Sequence, residues 1–324
     1  MKRLHTLIFC VILLVAATLR LYKLGGIPVS MYIDETAIGV DAKSIAQTGK
    51  DMHGHSWLTP MFLSYGDYKL PVYIWMAALS VKTFGATEFA IRLPSAVAGI
   101  LTVFLVYFVS IELFNKRKNR VWIGLTSAAV TAVLPWSVLF SRTGFEGHVG
   151  QMFLLLSILF ALYAGKRSWF IIFSAVAGAL AVYTYFSIRF VFPVVLLASF
   201  LLSAKKFELK HIFRGMFGLI VFGLLLVPLV KSPYYAPSNA FRLSASSILD
   251  NTQRVVYSNV LRAQDHEAWY AKILHHRELY FLKDLATHYA EHFDLSYLFI
   301  SGDVNLRHST GKTVFFIYPR RIPG

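Results

Sequence analysis

Two adjacent carboxylates, Asp34 and Glu35, follow the first apolar run of the chain and the breaker stretch Gly25-Gly26-Ile27-Pro28. Adjacent acids have no use as membrane anchors and repel each other, so a cation, a proton or a substrate is implied at that spot. A third acid, Glu146, lies in Ser141-Arg142-Thr143-Gly144-Phe145-Glu146-Gly147-His148, flanked by Arg142 and His148. Basic and aromatic groups also sit at the ends of apolar runs: Lys69, Arg92, Arg189 and Tyr185. Carboxylates of this kind suit general-base chemistry, and Arg or Lys suits a phosphate. Asp34 and Glu146 are also the pair that would hold a divalent metal ion through oxygen. His53-Gly54-His55 and His275-His276 lack further ligands at metal-site spacing.

What must position these groups is a set of membrane helices. The 324 residues are 56% hydrophobic with mean hydropathy +0.56, above the roughly 45–50% apolar content of soluble domains. Apolar runs cover 4–24, 93–114, 121–140, 149–164, 169–186, 188–203 and 212–230, most of them near the roughly 20 residues needed to cross a bilayer. The segment 70–84 is shorter, contains Lys82, and is predicted to lie along the membrane surface. With that assignment Lys2, Arg3, the stretch 115–120, Lys166, Arg167, Lys205, Lys206, Lys210 and Arg214 share one side, which is the cytoplasmic side. The expectation is an all-α polytopic membrane protein of about seven spans with its N-terminus inside. The loop 25–91 then lies outside, with an amphipathic helix at about 35–47. The net charge of +15 belongs to this loop pattern and not to nucleic-acid binding. The lone Cys10 excludes an intrachain disulfide. There is no Walker-type loop and no GxGxxG. Few ionisable residues are expected inside the spans, which places chemistry at the outer face in preference to a transport path.

Four stretches together resemble the GT-C glycosyltransferases that use lipid-phosphate sugars, in the protein O-mannosyltransferase and aminoarabinose-transferase branch. They are Asp34-Glu35; Lys69-Leu70-Pro71-Val72-Tyr73-Ile74-Trp75 through Phe84-Gly85 to Arg92-Leu93-Pro94-Ser95-Ala96; Ser141-Arg142 with Glu146; and Gly302-Asp303-Val304-Asn305-Leu306-Arg307-His308-Ser309. Leu70 stands where that family has a proline, and Glu146 where relatives often have Asp. The resemblance implies a GT-C-like helix bundle over 1–231, with the catalytic first outer loop at 25–91 and an extracytoplasmic tail at 232–324. It implies a polyprenyl- or dolichyl-phosphate sugar as donor, and a glycan, lipid or protein as acceptor. Asp34 is then the base of an inverting transfer, with Glu35 and Glu146 shaping its site. Lys69, Arg92, Arg142, Arg189 and Tyr185 would bind substrate, and Asp303, Asn305, Arg307 and His308 would fold over the active face. Family members continue with further spans, so a C-terminally truncated, inactive piece is a second reading. A non-catalytic binder or transporter of lipid-linked sugars is a third. The setting expected is the plasma membrane or its equivalent, amid membrane lipids.

Overall fold

The computed structural model describes residues 2–203, 209–246 and 252–295. In chain order the elements are α1 (Lys2–Leu21), α2 (Ile33–Thr48), β1 (Phe62–Ser64), β2 (Asp67–Lys69), α3 (Pro71–Phe84), α4 (Glu88–Leu113), α5 (Arg120–Val133), α6 (Pro135–Arg142), α7 (Glu146–Ala164), α8 (Phe170–Val182), α9 (Ile188–Ser203) and α10 (Leu209–Val230). They are followed by α11 (Tyr235–Ser246), α12 (Thr252–Gln264), α13 (Trp269–Leu274) and α14 (Arg277–Glu291). The chain divides into two compact units, Met1–Tyr235 and Ala236–Gly324.

In the first unit each apolar run of the sequence contains a helix. Four of them, in α1, α4, α7 and α10, are long and apolar enough to cross a membrane, and the bent pair α5–α6 makes five. Seven is not reached among the described residues. One reason is length: α8 has 13 residues, about 20 Å of helix against a hydrocarbon core of about 30 Å. The protein is an integral membrane protein, and its surface shows it. Leu4, Leu7, Val11 and Leu14 of α1 are exposed, as are Phe213, Phe217, Ile220 and Leu224 of α10. Packing between spans uses small residues. Ala175, Ala177, Gly178, Ala179 and Ala181 of α8 are buried, and Ser157 and Ser174 exchange hydroxyl-to-carbonyl bonds of 2.8 and 2.9 Å between α7 and α8. Without a hydrophobic drive between helices in lipid, close approach and such bonds hold the pair.

The run 121–140 is not one helix. Pro135 has no N–H for the carbonyl of Thr131, and α5 and α6 meet at 56°. Arg20, at the end of α1, fills the break. Its guanidinium donates to the carbonyls of Thr131 (3.2 Å) and Ala132 (2.9 Å) and to Ser137 Oγ (2.9 Å).

The first loop is folded. α2 and α3 pack with α4 and α7 around Ile38, Tyr73, Ile74, Ile91 and Val149. β1 and β2 form an antiparallel hairpin that sets Phe62 opposite Lys69. A second cluster joins Met61 and Leu70 to Val182, Ile188, Phe192 and Leu229. The connection after α2 is held by two buried acids. Asp41 Oδ1 accepts from the Met52 amide at 3.0 Å, and Asp51 Oδ1 accepts from the His53 and His55 amides at 2.9 and 2.7 Å. The His53 ring meets the Leu63 carbonyl at 3.1 Å, which ties this loop to β1.

In the second unit His275 sits between Asp265 (3.0 Å) and the Tyr280 hydroxyl (2.9 Å). Ser258 donates to the His275 carbonyl. These bonds fasten α12, α13 and α14 to one another.

Burial pushes the Asp41 carboxyl up to about 6, with the Asp51 charge adding to the rise and the Met52 amide and His53 opposing it. Folding therefore takes up a proton at Asp41. Its stabilising contribution is complete below 3.8, the ordinary value, and is lost as pH rises through about 6. Amide exchange of Met52 and His53, corrected for intrinsic rate, is expected to be slower at about pH 5 than at about pH 7.5. The Asp41→Asn protein is expected to lose that dependence. An equal pH dependence in both proteins would contradict the assignment.

Candidate active site

Asp34 and Glu35 belong to the first turn of α2 and not to the loop before it. Glu35 turns inward and is 1% exposed. Its Oε1 accepts from Arg92 Nε at 2.9 Å and from the Gly144 amide at 2.7 Å; its Oε2 accepts from the Tyr32 amide at 2.9 Å. The last bond is the carboxylate half of a capping box, in which the third helical residue reaches back to the N-cap amide. Gly144 is required for this approach. A Cβ there would stand 3.0 Å from Glu35 Cγ and 3.4 Å from the Tyr73 hydroxyl.

Asp34 faces the other way. Its side chain is 37% exposed, and its Oδ1 meets Lys69 Nζ at 2.6 Å. The Lys69 side chain is 7% exposed and also meets Asp67 at 3.3 Å. Burial alone lowers the Lys69 ammonium, but the charges of Glu146, Asp34 and Asp67 outweigh it and hold the group above its ordinary value. The Glu146 charge, from the first turn of α7, is among those that act on this ammonium. Tyr73 is fully buried, donates to the Ile91 carbonyl at 3.0 Å, and is pushed well above its ordinary value by burial and by Glu35 and Glu146. It therefore stays a neutral donor. Tyr185 lies against Gly147, one residue from Glu146. Arg189 stacks its guanidinium over the rings of Phe186 (4.5 Å) and Tyr235 (5.2 Å).

Two sequence expectations are corrected by this geometry. Arg92 was expected at a phosphate. It is fully buried, and its five donors are all engaged: with Glu35 twice, and with the carbonyls of Leu24, Pro28 and Ser30. Arg142 was expected at substrate. Its guanidinium instead donates to the carbonyls of Leu19 (2.7 Å), Tyr22 (2.7 Å) and Ile27 (3.0 Å). Both arginines hold the irregular backbone between α1 and α2. Asp34 pairs with Lys69, and the Glu146 charge acts on the same ammonium. Among the described residues no group of three His, Cys, Asp or Glu converges as a metal site. His53 and His55 are occupied with Leu63 and Asp51. Asp303, Asn305, Arg307 and His308 lie outside the described residues.

Sequence reasoning passed over Arg20, Asp67, Tyr73 and Gly144. Asp67 and Tyr73 flank Lys69 closely enough to have been found; Gly144 and Arg20 carry no local signal of their partners.

The family described as dolichyl-phosphate-mannose-protein mannosyltransferase matches residues 68–230, half of the chain. The chain belongs to this family. Within it, 98 residues are 33% identical to "Undecaprenyl phosphate-alpha-4-amino-4-deoxy-L-arabinose arabinosyl transferase 2" of Sodalis glossinidius, covering 30% of this chain and 16% of that protein. Over 220 residues the chain is 22% identical to transferase 1 of the same name from Pseudomonas fluorescens, covering 64% of this chain and 36% of that protein. The chain thus spans well under half the length of these curated relatives. The archaeal oligosaccharyltransferase AglB from Archaeoglobus fulgidus, solved with an inhibitory peptide and a dolichol-phosphate, superposes with a TM-score of 0.56 at 14% identity, over 91% of this chain and 38% of AglB. This mannosyltransferase-family chain accordingly has the GT-C membrane fold.

The two kinds of basic residue predict different phenotypes. Arg92→Leu leaves Glu35 buried and unpaired, which costs about 3–5 kcal/mol, and the thermal midpoint in detergent is expected to fall sharply. Lys69→Ala leaves its half-exposed partner Asp34 free to meet water, and its midpoint is expected to move far less. Equal losses in the two variants would overturn the division.

Proposed function

We propose that the chain is the catalytic module of a membrane glycosyltransferase. It moves a sugar from a polyprenyl- or dolichyl-phosphate donor to a glycan, lipid or protein acceptor at the extracytoplasmic face, with inversion. The observation that carries the reading is the Asp34–Lys69 pair: a half-exposed carboxylate 2.6 Å from a nearly buried ammonium, at a helix end in an integral membrane protein. The relatives' names, which specify undecaprenyl-phosphate and dolichyl-phosphate sugars, support the donor class.

Lys69 is the phosphate ligand in this proposal. At rest it is held by Asp34, Asp67 and Glu146. A donor phosphate entering the site competes for the ammonium and loosens its hold on Asp34. Asp34 then accepts the acceptor's proton as the acceptor oxygen bonds to the anomeric carbon. The bond from that carbon to the phosphate oxygen breaks, and the electron pair leaves with the lipid phosphate. The leaving group departs as an anion, so positive charge serves it better than a strong acid. Arg189 and Tyr185 line the donor side, Glu146 tunes Lys69, and Glu35 fixes the turn that carries Asp34. The membrane orientation proposed puts the N-terminus in the cytoplasm.

The test is reconstitution of the protein in proteoliposomes with a panel of polyprenyl-phosphate sugars, following release of polyprenyl phosphate. Asp34→Asn keeps the shape of the side chain and removes the base. Turnover is expected to fall by roughly 10²–10⁴-fold while donor binding persists. Lys69→Ala is expected to weaken donor binding by about 1.5–3 kcal/mol. Wild-type turnover by Asp34→Asn removes Asp34 from the mechanism. Release of no lipid phosphate by wild type from any donor, with donor binding retained, favours a binding protein over an enzyme.

A further inference from the structure

The second unit carries an apolar helix face that no other element among the described residues covers. On α14, Leu282, Leu285 and Tyr289 recur at spacings of three and four, which sets them on one side of the helix. They are 56, 48 and 68% exposed, and no residue of α14 is buried. The opposite side is the one that packs. Tyr280 meets the Tyr257 ring of α12 at 5.4 Å and a His275 ring nitrogen at 2.9 Å. At about 100° per residue, Lys283, Thr287 and Glu291 share the side of Tyr280, while Leu282, Leu285 and Tyr289 point away from it. The short helix α13 adds exposed Trp269, Ile273 and Leu274.

An exposed apolar surface of this kind marks a contact with protein or with membrane. Two observations select the membrane. The first is the tether. α10, apolar enough to cross a bilayer, ends at Val230, and α11 starts at Tyr235. The four residues between them span at most about 14 Å, so a bilayer surface always stands within reach of the start of the unit, and its capture is intramolecular. The second is composition. Tryptophan and tyrosine beside aliphatic side chains, backed by a polar face, suit the headgroup boundary, where one end of such a ring is apolar and the other wet. We propose that α13 and α14 dock on the bilayer as interfacial elements. α14 lies along the surface with Leu282, Leu285 and Tyr289 at the acyl boundary and Lys283, Thr287 and Glu291 in water. The helix has two basic residues, Arg277 and Lys283, against three acidic ones, Glu278, Asp284 and Glu291. The docking therefore draws on apolar burial and not on anionic lipid.

Spin labelling of the full chain in nanodiscs of zwitterionic phosphatidylcholine tests this. With Cys10→Ser as background, single labels are attached at Leu285→Cys and at Thr287→Cys, two exposed positions on opposite faces. Collisions with oxygen, which concentrates in lipid, and with a water-soluble nickel chelate report the depth of each label. The ratio of oxygen to nickel collisions is expected to be several-fold higher at Leu285→Cys than at Thr287→Cys. Equal nickel access at the two positions puts both faces in water and overturns the proposal. Shielding of Leu285→Cys from both reagents also overturns it, since protein then covers that face, from a second copy or from another segment. Nanodiscs containing anionic phosphatidylglycerol are expected to leave the ratio unchanged. A ratio that rises only with anionic lipid overturns docking by apolar burial.

Discussion

Glu35 and Arg92 meet out of reach of water, and four separate pieces of chain are attached through them. Glu35 brings the first turn of α2, Arg92 brings α4, Gly144 brings the loop between α6 and α7, and the carbonyls of Leu24, Pro28 and Ser30 bring the link from α1. Removing both charges from water costs several kcal/mol per ion. The pair survives because neither ion has an idle polar atom. The arrangement is weak evidence for stability but strong evidence for register. With this pair in place the first turn of α2 is fixed, and Asp34 beside Glu35 meets Lys69.

The same logic explains where the arginines went. Between α1 and α2 the backbone is irregular and lies at the end of a span, where unsatisfied carbonyls are expensive. Arg92 and Arg142 donate to five such carbonyls, those of Leu24, Pro28, Ser30, Tyr22 and Ile27, and to that of Leu19 in the last turn of α1. Arg20 does likewise at the proline break between α5 and α6. A guanidinium suits this task because its rigid fork offers several donors in fixed directions and it is weakly hydrated. Lys69, a compact charge on a flexible stem, is instead paired with carboxylates at the edge of the water.

Much of this was legible beforehand. Apolar runs marked the helices, and Gly25 to Pro28 marked the end of α1. The shorter, Lys-containing run before Phe84 marked α3. The break at Pro135 was not read, although a proline in a long apolar run removes a donor. The roles of Lys69 and Arg92 were not legible. Both are cations beside the acidic loop, and the feature that separates them is which one is enclosed. Enclosure depends on a glycine 52 positions further along, Gly144 against Arg92, whose missing side chain admits Glu35. No local pattern encodes that.

The division between Asp34 and Glu35 follows from helix geometry once one of them is fixed. Adjacent residues on a helix differ by about 100° in direction, so two neighbouring acids cannot both face the core. The capping-box bond to the Tyr32 amide fixes Glu35 as the one that turns back and in. Asp34 is therefore left on the water side, in the first turn, where the helix dipole favours a negative charge. In the proposed mechanism a phosphate that draws Lys69 away frees Asp34, so the two events would be linked through one ammonium. Glu35 could not serve in this way. Each of its oxygens is already committed to donors that hold the scaffold, and taking up a proton there would loosen Arg92 from the turn it supports.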